Sequence, residues 1–146
     1  MVRLLDVNVL LALAWPNNTH HDAAHAWFAS HKHEGWATCL LTEAGFVRSS
    51  SQPAVTKQVI AVREAIAILT ASTASNEHHF WEHTTRVTDL LPEMLPRIMG
   101  PQQLTDALLL NLAIQRGGTL ATFDKRIESL LPPGSPNRSY IELIPI

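Results

Sequence analysis

Short apolar runs alternate with segments of helical periodicity along this chain, and an acid stands at four of the seams. Asp6 closes Val2-Arg3-Leu4-Leu5-Asp6. Glu43 follows Trp36-Ala37-Thr38-Cys39-Leu40-Leu41-Thr42. Asp106 opens Thr105-Asp106-Ala107-Leu108-Leu109-Leu110, and Asp124 closes Thr119-Leu120-Ala121-Thr122-Phe123-Asp124. Strands that alternate with helices imply a mostly parallel sheet covered on both faces. Open sheets of this kind bind ligands in the crevice at the carboxyl ends of their strands. Acids from three strand ends and one helix start therefore have a route into one pocket. Crowded carboxylates repel unless they are protonated or neutralised by a cation. Hard cations such as Mg²⁺ or Mn²⁺ take oxygen ligands of this kind.

The periodicity predicts the order of elements. Val2 to Leu5 is a strand, and Asn8 to Ala14 one or two helical turns ended by Trp15-Pro16-Asn17-Asn18. Thr19 caps a helix to about Ser30, with Ala23, Ala24, Trp27 and Phe28 as its apolar stripe. Trp36 to Leu40 is a second strand, and Thr42 caps a helix through Glu43 to about Ser50. Val55 to Thr70 reads as one helix on Val59, Val62, Ile66 and Leu69. His79 to His83 reads as a short edge strand. Val87 to Leu95 stays open, since Pro92 and Pro96 break any long helix. Pro101 to Arg116 is the best helix, closed by Gly117-Gly118. Thr119 to Phe123 is a strand, Lys125 to Leu131 a short helix, and Tyr140 to Ile144 a last strand.

A chain of 146 residues suits one domain with a proper core, here taken as 1–146. Hydrophobic residues at 46% argue against disorder. A formal charge of −2 supplies no strong field for nucleic acid, so RNA binding would need a local basic patch or a metal. The single cysteine, Cys39, lies in an apolar run and reads as a small buried hydrophobe. The apolar run from Val7 to Trp15 is too short to span a bilayer and lacks the features of a signal peptide. A cytoplasmic location without a membrane is the expectation.

Each acid alone has an ordinary explanation. Asp6 and Asp124 suit helix caps, while Glu43 and Asp106 suit first turns, where negative charge complements the helix dipole. As a set they are harder to dismiss, because their apolar neighbours do not leave four carboxylates fully solvated. Here the residues reach a resemblance. Leu4-Leu5-Asp6-Val7-Asn8-Val9-Leu10-Leu11, Leu41-Thr42-Glu43-Ala44-Gly45-Phe46-Val47-Arg48, Leu104-Thr105-Asp106-Ala107 and Leu120-Ala121-Thr122-Phe123-Asp124 together resemble a PIN domain. More narrowly, they resemble the VapC toxin ribonucleases of prokaryotic toxin–antitoxin pairs. The likeness runs from Leu4 to about Arg126, with all four acids in order.

The resemblance implies an α/β fold with a central, mostly parallel sheet flanked by helices, and a Mg²⁺- or Mn²⁺-dependent endoribonuclease site. By position, Asp6 and Asp106 would be the main metal ligands. Asp124 would complete the shell directly or through water, and Glu43 would hold a water or a second metal. Asn8 and Thr122 would orient those carboxylates. The resemblance further implies a homodimer, a structured RNA substrate such as tRNA or an rRNA loop, and a cognate VapB-like antitoxin laid across the acids.

Other residues invite different readings. His21 and His25 are four apart, as are His79 and His83, a spacing that suits Zn²⁺, but no third ligand completes a motif. Trp15, Trp27 and Trp36 sit in apolar settings and read as core rather than base-stacking residues. Arg48, Arg116, Lys125 and Arg126 are candidate RNA contacts, with Lys125 and Arg126 favoured because they come directly after Asp124. A phosphorelay receiver also carries acids at strand ends, but it wants adjacent acids after the first strand, and Asp6 stands between Leu5 and Val7. The remaining alternative is a catalytically silent PIN-like binding domain.

Overall fold

The computed structural model describes all of residues 1–146. Five strands, β1 (Arg3–Leu5), β2 (Trp36–Thr38), β3 (His78–Phe80), β4 (Thr119–Thr122) and β5 (Ile141–Leu143), form one sheet in the order β3-β2-β1-β4-β5. Every neighbouring pair is parallel. Six helices surround it: α1 (Val7–Ala14), α2 (His21–His31), α3 (Leu40–Ser50), α4 (Pro53–Thr56), α5 (Val62–Ser72) and α6 (Gln102–Gln115). This is the α/β architecture that the alternating pattern implied.

Successive strand residues point to opposite faces, and the core divides accordingly. Leu4, Ala37 and Leu120 join Leu109, Leu110 and Leu112 of α6 in one buried cluster. Leu5, Trp36 and Ala121 join Val9, Trp27 and Phe46 in the other. Trp15 is buried as well, its indole N–H donating to Ser50 Oγ at 2.9 Å. The tryptophans expected in the core are there, and Cys39 is fully buried.

The central strands and α6 lie close to where the sequence put them. The middle of the chain does not. The helix expected from Val55 to Thr70 is two helices, broken at Lys57, which takes a left-handed φ of 63°. Asn17 Nδ2 donates to Thr56 O at 2.7 Å, and Thr56 Oγ1 donates to Gln58 O at 3.0 Å. These bonds hold the chain out of the helical path. Thr42 does not cap α3; it is the third residue of the helix, and its Oγ1 accepts from the Cys39 N–H at 3.0 Å. The helix therefore starts three residues earlier, capped at Cys39, and β2 stops at Thr38. Nor does Thr19 cap α2; Asn18 Oδ1 accepts from the His20 N–H just before it, at 2.9 Å. The edge strand is His78–Phe80 rather than His79 to His83, and the turn after β4 is a 3₁₀ helix, Lys125–Leu130.

Close packing at the two ends of α1 sets its neighbours. A Cβ on Gly45 would lie 2.6 Å from Val7 Cγ2, so only glycine lets α3 approach α1 this closely. That approach carries the turn bearing Glu43 toward the turn bearing Asp6. Past the other end of α1, His21 and His25 face its carbonyls: His21 Nδ1 is 2.7 Å from Ala12 O, and His25 Nε2 is 2.8 Å from Leu13 O. Helix ends leave such carbonyls without partners, and this pair of rings supplies them.

Candidate active site

Asp6 is the last residue before α1 and has extended backbone angles, so its carboxylate turns back onto the helix it starts. Its Oδ1 accepts from the Val7 N–H at 2.7 Å, as a cap does. Its Oδ2 accepts from Thr122 Oγ1 at 2.7 Å and, more loosely, from Asn8 Nδ2 at 3.4 Å. Thr122 ends β4, the strand beside β1. Asn8 Nδ2 also donates to Thr122 Oγ1 at 3.1 Å, while Asn8 Oδ1 accepts from the Phe123 N–H at 3.3 Å. Thr122 Oγ1 accepts in turn from the Asp124 N–H at 3.0 Å. Asn8 and Thr122 thus tie Asp6 to the stretch bearing Asp124. The capping role and the pocket role proposed for Asp6 are compatible, because a carboxylate oxygen accepts more than one partner.

Asp106 lies near the start of α6, beside a crevice of about 80 Å³ lined by Gln102, Gln103, Arg126 and Leu130. It is half-buried, and its carboxyl is pushed up to about 6. Burial is the main cause; the charges of Asp6 and Asp124 add to it, and Arg126 opposes it. No protein hydrogen bond contributes. Burial also raises the pKa of Asp6 and Asp124 adds to the rise, while the bonds from Thr122 and Val7 pull it down. Asp124 behaves oppositely. Arg126 donates from Nε and Nη2 to both carboxylate oxygens, at 2.9–3.2 Å, and holds the pKa below the ordinary range.

Glu43 stands on the neighbouring strand–helix junction. Its Oε2 accepts from Thr38 Oγ1 at 2.7 Å, and the same hydroxyl lies 2.7 Å from His78 Nε2. Sequence reasoning named Glu43 but neither Thr38 nor His78. No local pattern marks them, since β2–β3 register brings them together: Trp36 pairs with His78 and Thr38 with Phe80.

Of the candidate RNA contacts, Arg126 is at the crevice and Lys125 is exposed beside it. Arg48 is exposed in the last turn of α3, and five helical positions turn it about 140° away from Glu43. Arg116 comes after α6 at the end opposite Asp106, about 15 Å along the axis, and donates to Glu82 O at 2.7 Å. The structure does not bring Arg116 to the acids.

The donor set suits a hard divalent cation. Asp106 is a half-buried carboxylate with no protein donor, and two other acids lie near enough to raise its pKa. No three His, Cys, Asp or Glu side chains converge in ligating geometry. Mg²⁺ does not require that, since it commonly keeps its waters and uses one or two carboxylates. Asp106, together with Asp6, whose charge raises the pKa of Asp106, could supply such a pair.

With this geometry in view, residues 3–130 match the family model of the PIN domain. The chain belongs to the PIN domain family. It is 44% identical over 127 residues to Ribonuclease VapC38 of Mycobacterium tuberculosis, covering 87% of this chain and 88% of that protein. It is 41% identical over 143 residues to Ribonuclease VapC44 of the same species, covering 98% and 100%. Among solved structures, VapBC2 of Rickettsia felis, crystallised with a DNA fragment from its promoter, has a TM-score of 0.66 at 17% identity. That match covers 98% of both chains and bears on the fold alone.

Proposed function

We propose that this chain is a metal-dependent endoribonuclease toxin of a VapBC-type pair, with residues 1–146 acting as one nuclease domain. The observation that carries the reading is Asp106. It is a half-buried carboxylate without a protein donor, its pKa held near 6 by burial and by two other acids, in a chain over 40% identical to proteins named ribonucleases. Asp6 and Asp106 hold the cation in this reading, and Asn8 and Thr122 fix the rotamer of Asp6. A bound Mg²⁺ or Mn²⁺ would supply a nucleophilic water near neutral pH and stabilise the leaving oxygen. Glu43 has Oε2 occupied by the Thr38 hydroxyl, which leaves Oε1 to take the proton of the attacking water. Arg126, already at the crevice, exchanges Asp124 for a substrate phosphate, since its planar fork suits either anion.

Loops of structured RNA are the proposed substrate, because splayed bases and phosphates are accessible there. A chain of net charge −2 lacks the field to grip duplexes indiscriminately. A VapB-like antitoxin is the proposed partner; an arginine or lysine from it would satisfy the acids as a cation does. The names of the relatives, VapC ribonucleases at 44% and 41% identity, support this partner. The chain is proposed to act in the cytoplasm as a homodimer; no helix is long and apolar enough to cross a membrane. The test is to map 5′ ends in total RNA incubated with the protein and Mg²⁺. Few cuts, in loops, abolished by EDTA, are expected. One observation favours a silent binding domain instead: Arg126 engages both oxygens of Asp124. RNA bound but left intact at every metal concentration would establish that second reading.

A further inference from the structure

Thr38 is fully buried at the end of β2, and its hydroxyl stands between Glu43 Oε2 and His78 Nε2, 2.7 Å from each. A hydroxyl has one proton to give. An ionised carboxylate can only accept, so the Thr38 proton goes to Glu43, and His78 Nε2 must bring its own proton to Thr38. The three side chains form a directed chain: His78 donates to Thr38, and Thr38 donates to Glu43. Each hydrogen bond polarises the next, which strengthens the last in the series.

The elements bring these three side chains together. His78 is paired with Trp36, so both side chains lie on one face of the sheet, with ring centroids 4.7 Å apart. Thr38 stands two residues after Trp36 and shares that face. The imidazole meets the Trp36 ring and the Thr38 hydroxyl of β2, the Glu43 charge from α3, the Thr73 carbonyl after α5 and the adjacent His79. Burial lowers its pKa while Glu43 opposes the fall.

We propose that His78, acting through Thr38, is a positioning residue for Glu43, holding Oε2 so that Oε1 alone faces the attacking water. The inference rests on the ribonuclease reading. An edge strand thereby takes part in a reaction whose acids all come from other elements.

Two measurements test it together. Imidazole ¹⁵N spectra of the full-length protein should show His78 protonated at Nε2, with its resonances shifted by Glu43→Gln and by Thr38→Val. RNA cleavage by Thr38→Val and His78→Gln should lose roughly 10- to 100-fold in kcat with KM little changed, the range seen when an outer hydrogen-bond partner is removed. Thr38→Ser, which keeps the hydroxyl, should restore the rate. In a Glu43→Gln background neither substitution should cost more. An Nδ1–H tautomer in the wild type, or a His78 indifferent to Glu43→Gln, overturns the chain of bonds. Full kcat in Thr38→Val with cleavage intact in the wild type overturns the positioning role and leaves the ribonuclease reading standing. If the relay is seen but no RNA is cut, the ribonuclease reading fails and takes the role of His78 with it.

Discussion

Asp106 carries a charge that no protein donor answers, and this sets its response to pH. Its folded-state pKa of about 6 lies above the ordinary carboxylate value of 3.8. A raised carboxylate pKa means that the folded protein holds its proton more tightly than the unfolded chain does. Stability from this group is therefore complete below about pH 4 and is lost as pH rises through 6. Asp6 shifts in the same direction. Asp124, with its pKa lowered by Arg126, contributes stability above its unfolded value that is lost in stronger acid. In metal-free protein, the melting-temperature difference between Asp106→Asn and wild type should grow in favour of the variant from pH 4 to 7. A difference independent of pH would mean that burial and the neighbouring acids do not raise the pKa of Asp106. For Asp6 the informative substitution is Asn, since Ala also removes the cap on α1, worth about 1 kcal/mol. Asp6→Asn should stay folded and lose cleavage, read by circular dichroism beside the RNA assay. The acids were legible in the sequence because strand ends and helix starts are local features. Thr38 and His78 were not, because β2–β3 pairing joins residues 40 apart.

The approach of α3 to α1 depends at element scale on Gly45 facing Val7. Gly45→Ala forces its Cβ to within 2.6 Å of Val7 Cγ2, and overpacking of this kind costs about 1–3 kcal/mol. A lower urea midpoint is expected, with cleavage reduced because the Glu43 and Asp6 turns separate. Val7→Ala in the same chain should recover most of the loss; two independent, additive losses would show that the contact is not the cause. The break between α4 and α5 illustrates what local pattern leaves out. Val59, Val62 and Ile66 have helical spacing, yet they are 87%, 55% and 48% exposed. The spacing alone continues the helix through Lys57. What stops it is Asn17, 39 positions earlier, holding Thr56 O. In contrast, β1, β2, β4 and α6 were legible because burial on nearly every side leaves their composition few alternatives.

At the scale of the whole molecule, the proposed nuclease joins a parallel sheet, a cluster of acids at its carboxyl edge and a divalent cation. A cation that binds only the folded state stabilises it by mass action, about 2.7 kcal/mol at one hundred times Kd. Mg²⁺ or Mn²⁺ should therefore raise the melting temperature by several degrees, and less in Asp106→Asn. Sedimentation should show a dimer, with exposed Val59, Val62 and Ile66 among the candidates for its interface. The most direct measurement is RNA cleavage by wild type and Asp106→Asn, purified identically and incubated with the same RNA and Mg²⁺. The wild type should make a cut that EDTA stops and that Asp106→Asn does not make, at equal folded fraction. Equal cleavage by both proteins would contradict a metal site built on Asp106.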